Sequence, residues 1–285
     1  MTYQDIIMRL SPVCGHGEAR AVARLVLEER FGLSLTDIAF GKVNDFTREE
    51  TEELEKIIVR LENHEPVQYV LGWQTFCGHR FRVAPGVLIP RPETELLVDA
   101  CAVKDKSCRV LDIGTGSGCI AVSLALRHRC AVEAWDISSE ALEIARDNAM
   151  RLGAEVTFRK ADILSWRDWY TASPAQEDRR SKGVYDIIVS NPPYICRGEA
   201  AEMERNVLDY EPDMALFVPD SDPLLFYRAI AEFGMETLSA EGKIAFEINR
   251  AYGSDVCRML SALGYRDAEV IMDQFDNPRI VRCSR

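Results

Sequence analysis

The stretch of sequence that decides the fold is Val110-Leu111-Asp112-Ile113-Gly114-Thr115-Gly116-Ser117-Gly118. An apolar strand pattern runs into three alternating glycines and then into a helical pattern over residues 119–127. Glycine at such positions lets a ligand approach the backbone where a Cβ atom would collide with it. The spacing is GxGxG and not the GxGxxG of dinucleotide folds. The stretch therefore predicts a ligand site between a buried strand and the helix that follows it.

Strand and helix patterns alternate from this stretch to the C-terminus. The short apolar runs lie at 109–113, 131–135, 156–159, 185–189, 243–248, 268–272 and 279–282. Runs of this kind suit strands that are buried on both faces, and their alternation with helices predicts right-handed crossovers in a parallel sheet. The last two runs are joined by a short turn at 274–278, which makes them antiparallel. The predicted fold is α/β, a seven-stranded doubly wound sheet whose last strand is antiparallel.

Residues 1–72 are predicted to form a small all-helical domain in front of this sheet. Thr47 has the chemistry of a helix N-cap, and Glu50 follows three residues later, which is the capping-box spacing. Leucine and isoleucine then recur over 54–61 at the spacing of one buried helix face. These patterns indicate scaffold and carry no chemistry of their own.

A β-hairpin linker is predicted over residues 73–90, where apolar residues switch to strand alternation. The segment ends in Pro90-Arg91-Pro92, and two prolines around one arginine stiffen the backbone. Residues 91–285 are predicted to be the sheet domain. Within it, residues 171–183 are rich in serine, proline and charge and are predicted to form a surface loop.

Composition excludes several classes of protein. The chain has 285 residues and a net charge of −12, whereas proteins that grip long nucleic acids usually carry a basic surface. No stretch approaches the roughly 18 apolar residues of a membrane span. The N-terminus, Met1-Thr2-Tyr3-Gln4-Asp5, lacks the basic and apolar regions of a secretory signal. We therefore expect a cytoplasmic protein that acts on a small molecule or a protein.

The nine cysteines are scattered along the chain, without a CxxC pair. Zinc sites usually need ligands in close pairs, and the four histidines form no complementary motif. Free cysteine in apolar runs behaves as a small hydrophobic residue. The cysteines are therefore predicted to be reduced and structural, and no metal site is expected.

Acidic residues follow three successive predicted strands. Asp112 precedes the glycines, Asp136 ends the second strand, and Asp162 with Ile163 ends the third. Open α/β sheets bind ligands at this carboxyl edge. S-adenosylmethionine has no phosphate but carries a sulfonium and an amino group, which favour a carboxylate near the glycines. Asp136 is then placed for the ribose hydroxyls, and Asp162 and Ile163 for the adenine. The alternatives are a simple tight turn with helix-capping aspartates, or an NAD enzyme.

The fourth predicted strand leads into Ser190-Asn191-Pro192-Pro193-Tyr194. Proline lacks an N–H group and holds the chain extended, so the Pro192 carbonyl has no local donor. The Asn191 side chain supplies a second acceptor, and Tyr194 offers a flat aromatic face. Two acceptors on a rigid arc match the two N–H bonds of a primary amide or an exocyclic amine. The segment therefore predicts methyl transfer to a planar nitrogen, against the alternative that Pro-Pro only ends the strand.

The glycine loop and Asn191-Pro192-Pro193-Tyr194 together resemble the class I methyltransferases that modify amide or exocyclic amine nitrogens. Further segments resemble the peptide chain release factor glutamine methyltransferase family. They are Glu65-Pro66-Val67-Gln68-Tyr69 with Gly72, then Val87-Leu88-Ile89-Pro90-Arg91-Pro92-Glu93-Thr94-Glu95, and Glu211-Pro212 with Ala215-Leu216. The similarity extends from about residue 60 to the C-terminus.

The resemblance implies N5-methylation of the glutamine in the Gly-Gly-Gln loop of class I release factors, which supports translation termination. It implies S-adenosylmethionine as cofactor, a helical domain that docks the protein substrate, and a monomeric enzyme. By the same resemblance, Pro90, Arg91 and Thr94 line the far wall of the site. Glu211 holds the catalytic loop, or forms only a turn.

Three segments depart from the family pattern. An acidic-Ile-Gly run is replaced by Glu247-Ile248-Asn249-Arg250-Ala251-Tyr252, the last turn is Gln274-Phe275-Asp276-Asn277-Pro278-Arg279, and the loop 171–183 is enlarged. Three other functions remain open. They are methylation of a ribosomal protein glutamine, methylation of adenine N6 in a nucleic acid, and a noncatalytic scaffold that binds a translation factor.

Overall fold

The computed structural model of the protein describes residues 1–101, 103, 105–170 and 184–285. The predicted surface loop at 171–183 lies outside the described residues. The chain divides into two compact units. A helical unit comprises Met1–Trp73 and Met203–Tyr210, and a sheet unit comprises Gln74–Glu202 and Glu211–Arg285. Within the described ranges, no helix is long and apolar enough to cross a membrane.

The described helices and strands have the following bounds. The helices are α1 (Tyr3–Phe31), α2 (Leu35–Ala39), α3 (Arg48–Glu62), α4 (Val67–Leu71), α5 (Glu95–Ala100), α6 (Cys119–His128), α7 (Ser139–Leu152), α8 (Trp166–Tyr170), α9 (Arg205–Leu208), α10 (Asp213–Leu216), α11 (Leu225–Thr237) and α12 (Gly253–Ala262). The strands are β1 (Trp73–Phe76), β2 (His79–Arg82), β3 (Arg109–Ile113), β4 (Ala131–Asp136), β5 (Val156–Lys160), β6 (Tyr185–Ser190), β7 (Ile195–Cys196), β8 (Phe217–Val218), β9 (Leu238–Glu247), β10 (Arg266–Met272) and β11 (Pro278–Ser284). Short 3-10 helices lie at Lys42–Asp45, Pro92–Thr94, Ile163–Ser165 and Arg197–Glu202.

The helical unit is built around α1 and α3. Helix α3 begins where the sequence predicts, because Thr47 and Glu50 form the expected reciprocal capping box. The buried face of α3 is the predicted one, Leu54, Ile57, Ile58 and Leu61. Helix α1 is interrupted at Gly15, which has a φ of 78°. The two helices share one hydrophobic core.

A segment distant in sequence completes the helical unit. Residues Met203–Tyr210, which include α9, group with this unit and not with the sheet unit that flanks them on both sides. The Tyr210 hydroxyl donates a hydrogen bond of 2.7 Å to the Asn63 carbonyl. This segment was predicted to belong to the sheet domain at residues 91–285, because no local sequence pattern marks it as different. The chain therefore leaves the sheet unit after Glu202 and returns at Glu211.

The sheet unit confirms the predicted α/β fold. Its seven-stranded sheet has the order β10-β11-β9-β6-β3-β4-β5. Strand β11 is antiparallel to both of its neighbours, while β9, β6, β3, β4 and β5 are parallel to one another. The strand order reverses beside β3, since the chain proceeds from β3 through β4 to β5 on one side and through β6 to β9 on the other. This switch point places the ends of β3, β4 and β6 at one edge, where α/β sheets bind ligands.

The predicted hairpin is formed by β1 and β2. Cys77 and Gly78 connect the strands, with φ angles of 47° and 76°, and this left-handed pair matches the twist of a tight two-residue hairpin turn. Phe76 and Phe81 pack edge to face with ring centroids 6.0 Å apart. Both rings are fully buried in a core cluster shared with α6 and β3, so the hairpin is part of the sheet unit's core.

Candidate active site

The glycine loop lies between β3 and α6 and is held to the neighbouring strand. The backbone N–H groups of Gly114 and Thr115 both donate to the Trp135 carbonyl at 2.9 Å. Gly118 has a φ of 81°, and a Cβ atom built there would lie 3.0 Å from the Cβ of Ala145. The loop therefore requires glycine at this position for close packing of α6 against α7 as well as for its backbone conformation.

Asp136, at the end of β4, ties the loop to the start of the next helix. Its Oδ2 atom accepts a hydrogen bond of 2.9 Å from the Gly116 N–H, and its Oδ1 atom accepts one of 2.8 Å from the Ser138 N–H. Burial raises the pKa of Asp136, and these backbone donors act in the opposite direction. The carboxylate is thus oriented by the loop and lies on the wall of the adjacent cavity.

Asp112 occupies a different position from Asp136. It is fully buried, and its Oδ2 atom accepts a 2.6 Å hydrogen bond from the Thr115 hydroxyl. Its Oδ1 atom has no hydrogen-bond partner among the described residues. Burial raises the pKa of Asp112 to about 7. The residue lies beneath the glycine loop and is not part of the cavity wall.

A cavity of about 230 Å³ opens beside the loop. Its wall contains most of the predicted cofactor residues, together with several residues that the sequence did not single out. The predicted cofactor residues on the wall are Gly114, Gly116, Asp136, Asp162, Ile163 and Asn191. Pro192 and Pro193, which were predicted as catalytic residues, also line it, and the others include Gly86, Val87, Leu88, Ile137, Ala141, Met214, Ala215, Phe226 and Ile230. Thr115, Ser117 and Gly118 support the loop from outside the wall. The mainly apolar lining with a few polar groups is typical of a small-molecule site.

Asp162 and Ile163 follow β5, as predicted. The Asp162 side chain accepts a 2.9 Å hydrogen bond from the Leu164 N–H and begins a 3-10 turn. Ile163 is buried and presents apolar surface to the cavity. The helix-capping alternative for Asp162 and its place on the cavity wall are therefore compatible.

The segment Asn191-Pro192-Pro193-Tyr194 leaves β6 along the same cavity. Ser190 anchors its start, since its hydroxyl donates to the Ile113 carbonyl at 2.5 Å. The Asn191 Nδ2 group lies 3.5 Å from the Thr94 Oγ1 atom and donates to it. Tyr194 does not line the cavity. It packs against the hydrophobic core cluster that includes residues of β9. Asn191, Pro192 and Pro193 thus share one cavity with Gly114 and Asp136.

The cavity is not lined by the residues predicted for its far wall, which are Pro90, Arg91, Thr94 and Glu211. Two of them instead form an ion pair around a buried carboxylate. Glu211 accepts hydrogen bonds from the Arg91 guanidinium at 2.5 Å and from the Ile89 N–H at 3.1 Å. Its side chain is 1% exposed, whereas that of Arg91 is 34% exposed. Pro90, which precedes Arg91 in the chain, is buried. The Arg91–Glu211 pair fixes the chain as it returns from the helical unit, and it supports the segment 212–215 that contributes to the cavity wall.

Glu247, at the end of β9, belongs to the site although no sequence pattern predicted a role for it. It is 1% exposed, and it accepts hydrogen bonds from the Thr94 hydroxyl at 2.6 Å and from the Tyr194 hydroxyl at 3.2 Å. Burial raises the pKa of Glu247, while these two donors and the charge of Arg279 lower it. The sequence signal that could have indicated Glu247 is its position, because it is an acidic residue that ends a parallel strand at the same sheet edge as Asp136.

The chain is similar to several known proteins. Residues 91–208 match the family described as "Methyltransferase small domain", and residues 10–72 match "PrmC N-terminal domain". A relative from Bacteroides thetaiotaomicron, named "Release factor glutamine methyltransferase", is 51% identical over 94% of this chain and 93% of its own length. A relative of the same name from Flavobacterium psychrophilum is 35% identical over 98% of this chain and 96% of its own.

A solved structure shows the same fold. It is a methyltransferase from Pyrococcus furiosus with a TM-score of 0.51 and 17% identity, which covers 79% of this chain and 96% of that one. At this identity the likeness concerns the fold alone.

Proposed function

Since the chain belongs to the release factor glutamine methyltransferase family, we propose that it methylates the glutamine of the Gly-Gly-Gln motif in class I release factors. The methyl group comes from S-adenosylmethionine and goes to the side-chain amide nitrogen, N5. The observation that carries this proposal is one cavity lined by Gly114, Asp136 and Asn191. It brings a cofactor loop and an amide-binding segment to the same space.

The charged residues of the site fit S-adenosylmethionine. Asp112 is a buried carboxylate and Asp136 a half-buried one, and burial raises the pKa values of both. Asp112 Oδ1 lacks a partner among the described residues. A ligand with positive charge stabilises their ionised forms, whereas the pyrophosphate of NAD would be repelled. We assign Asp136 to the ribose hydroxyls, and Ile163 and Phe226 to the base, because all three line the cavity.

The chain's own residues bind and orient the substrate nitrogen. Bound S-adenosylmethionine supplies an activated methyl group on a leaving thioether. We infer that the Asn191 carboxamide oxygen and the Pro192 carbonyl accept the two N–H hydrogens of the glutamine amide. Holding both hydrogens directs the nitrogen lone pair at the methyl group, so the acceleration arises from positioning and electrostatics. The proton leaves after methylation, once the nitrogen has become acidic, and no strong base is required.

We assign the helical unit, including residues 1–72, to docking of the release factor protein. The enzyme is proposed to act as a monomer and to have no nucleic-acid substrate, in line with the net charge of −12. Because release factors act during cytoplasmic protein synthesis, the same proposal places the enzyme in the cytoplasm.

The proposed function is tested with labelled S-adenosylmethionine and purified release factors. Label is expected on a wild-type release factor, and its loss is expected when the Gly-Gly-Gln glutamine is replaced with alanine. Purified ribosomal proteins and DNA serve as alternative acceptors in parallel reactions. Label on either of these, with none on any release factor, would overturn the proposal.

Cofactor affinity is expected to depend on pH through Asp112. Burial raises its pKa to about 7, and a cation bound in the adjacent cavity lowers this pKa across the glycine loop, without direct contact, so binding releases a proton. Affinity for S-adenosylmethionine should therefore strengthen by up to about tenfold from pH 6 to pH 8 and level off above the pKa. Titration calorimetry across this range measures the effect. Asp112→Asn should flatten the profile, and an unchanged profile in this variant would contradict the assignment.

A further inference from the structure

Glu247 is a buried carboxylate that takes no part in the proposed methyl transfer. Its two oxygen atoms each accept one side-chain hydrogen bond, Oε2 from Thr94 and Oε1 from Tyr194. Thr94 is itself the hydrogen-bond partner of Asn191, and Tyr194 belongs to the same segment as Asn191. Burying a charge is costly unless it is paired and hydrogen-bonded. The placement of this carboxylate therefore calls for an explanation beyond packing.

The chemistry of Glu247, Thr94 and Asn191 determines which of them donates and which accepts in each hydrogen bond between them. An ionised carboxylate only accepts, so the single hydrogen of the Thr94 hydroxyl is committed to Glu247 at 2.6 Å. Thr94 Oγ1 then has only lone pairs to offer on its other side. The Asn191 amide must therefore turn its Nδ2 group toward Thr94, and the distance between Asn191 Nδ2 and Thr94 Oγ1 is 3.5 Å. The Asn191 oxygen is left as the end available to the cavity.

We propose that Glu247 is a positioning residue that acts through Thr94 to set which end of the Asn191 amide faces the substrate. The inference rests on the proposed function, because that function requires an acceptor at Asn191. In the opposite orientation the Nδ2 group would meet the N–H groups of the glutamine amide, donor against donor. The other oxygen of Glu247 restrains Tyr194 at the same time, so one carboxylate orients two residues of Asn191-Pro192-Pro193-Tyr194.

The decisive variant is Glu247→Gln, which has the same shape but can donate as well as accept. The Thr94 hydroxyl is then free to donate to Asn191, and both orientations of the Asn191 amide become populated. We expect kcat to fall by about 10- to 100-fold, the scale of one hydrogen bond to a charged group. The Kd for S-adenosylmethionine should stay within about twofold of the wild type, because Glu247 does not line the cavity.

Variants of Thr94 separate this role from a general structural one. Thr94→Val removes the hydroxyl and should lower kcat to a similar extent, whereas Thr94→Ser keeps it and should restore most of the activity. Because Glu247 acts on Asn191 through Thr94, the double variant with Glu247→Gln and Thr94→Val should lose little more than Thr94→Val alone. Losses that multiply, or a Glu247→Gln enzyme within about twofold of wild-type kcat, would overturn the proposal.

A measurement without substrate keeps this test independent of the proposed function. In ¹⁵N-labelled protein, the Asn191 side-chain amide signals are identified by their absence in Asn191→Ala. These signals should shift in Glu247→Gln and Thr94→Val and should stay near the wild-type position in Thr94→Ser. Unchanged signals in all three variants refute the relay. If the variants show these shifts but the wild-type enzyme labels no release factor, only the substrate assignment is refuted.

Discussion

Replacing Asn191 with alanine is expected to lower kcat by about 100- to 1,000-fold, which is the effect of removing one preorganised polar group from a reacting centre. The residue lines the cavity at the end of β6, and its carboxamide oxygen is the proposed acceptor for one amide hydrogen of the glutamine. Without it, the planar nitrogen is bound less rigidly and its lone pair is no longer aimed. Single-turnover methylation of a release factor measures the loss.

Binding of S-adenosylmethionine should survive this substitution. Calorimetric Kd values for Asn191→Ala and wild type should agree within about fivefold, because one neutral contact of about 1 kcal/mol or less is removed. Asn277→Ala is a matched control. It removes an asparagine from the β10–β11 turn, outside the cavity, and should leave kcat unchanged. A large loss of cofactor binding in Asn191→Ala would show that Asn191 belongs mainly to the cofactor site.

Replacing Asp136 with alanine is expected to have the largest effect on cofactor binding. This carboxylate accepts from the N–H groups of Gly116 and Ser138 and is the proposed partner of the ribose hydroxyls. Its removal deletes charge-assisted hydrogen bonds to the ligand and also releases the glycine loop. Hydrogen bonds to charged groups contribute about 1.5 to 3 kcal/mol each, so Kd should rise by about 100-fold.

The control for Asp136→Ala is Glu143→Ala, which removes a carboxylate from the exposed side of α7. Its Kd for S-adenosylmethionine should match that of the wild type. Thermal unfolding of both variants, measured without cofactor, shows how far loop release contributes. If saturating cofactor restores wild-type turnover to Asp136→Ala, the residue acts in binding alone. A Kd within about threefold of wild type would remove Asp136 from the cofactor site.

Local sequence patterns predicted the parts of the molecule that local physics determines. The α3 capping box, the β1–β2 hairpin and the strand–glycine–helix unit at 110–118 each depend on residues close together in the chain. The seven strands followed from apolar runs, because strands buried on both faces need them. The antiparallel last strand followed from the short turn that precedes it.

Long-range pairing limits what the sequence predicts. Thr94 and Glu247 are 153 residues apart, and only the register of β9 beside β6 brings the carboxylate to the Asn191 segment. Met214 and Phe226 join the cavity wall because of how α10 and α11 pack. Asp112 was predicted near the cofactor from its spacing, but its alternation along β3 sends the side chain beneath the loop. None of these contacts leaves a periodic signature.

The discontinuity of the helical unit has a consequence for synthesis of the protein. Its first 73 residues leave the ribosome early, but the segment Met203–Tyr210, with the Tyr210–Asn63 hydrogen bond, is still untranslated at that time. At common elongation rates the delay is on the order of 10 s. The helical unit therefore lacks its last segment while β3 to β6 are being translated. The segment Met203–Tyr210, which completes the unit, is translated soon after the proposed catalytic segment at 191–194.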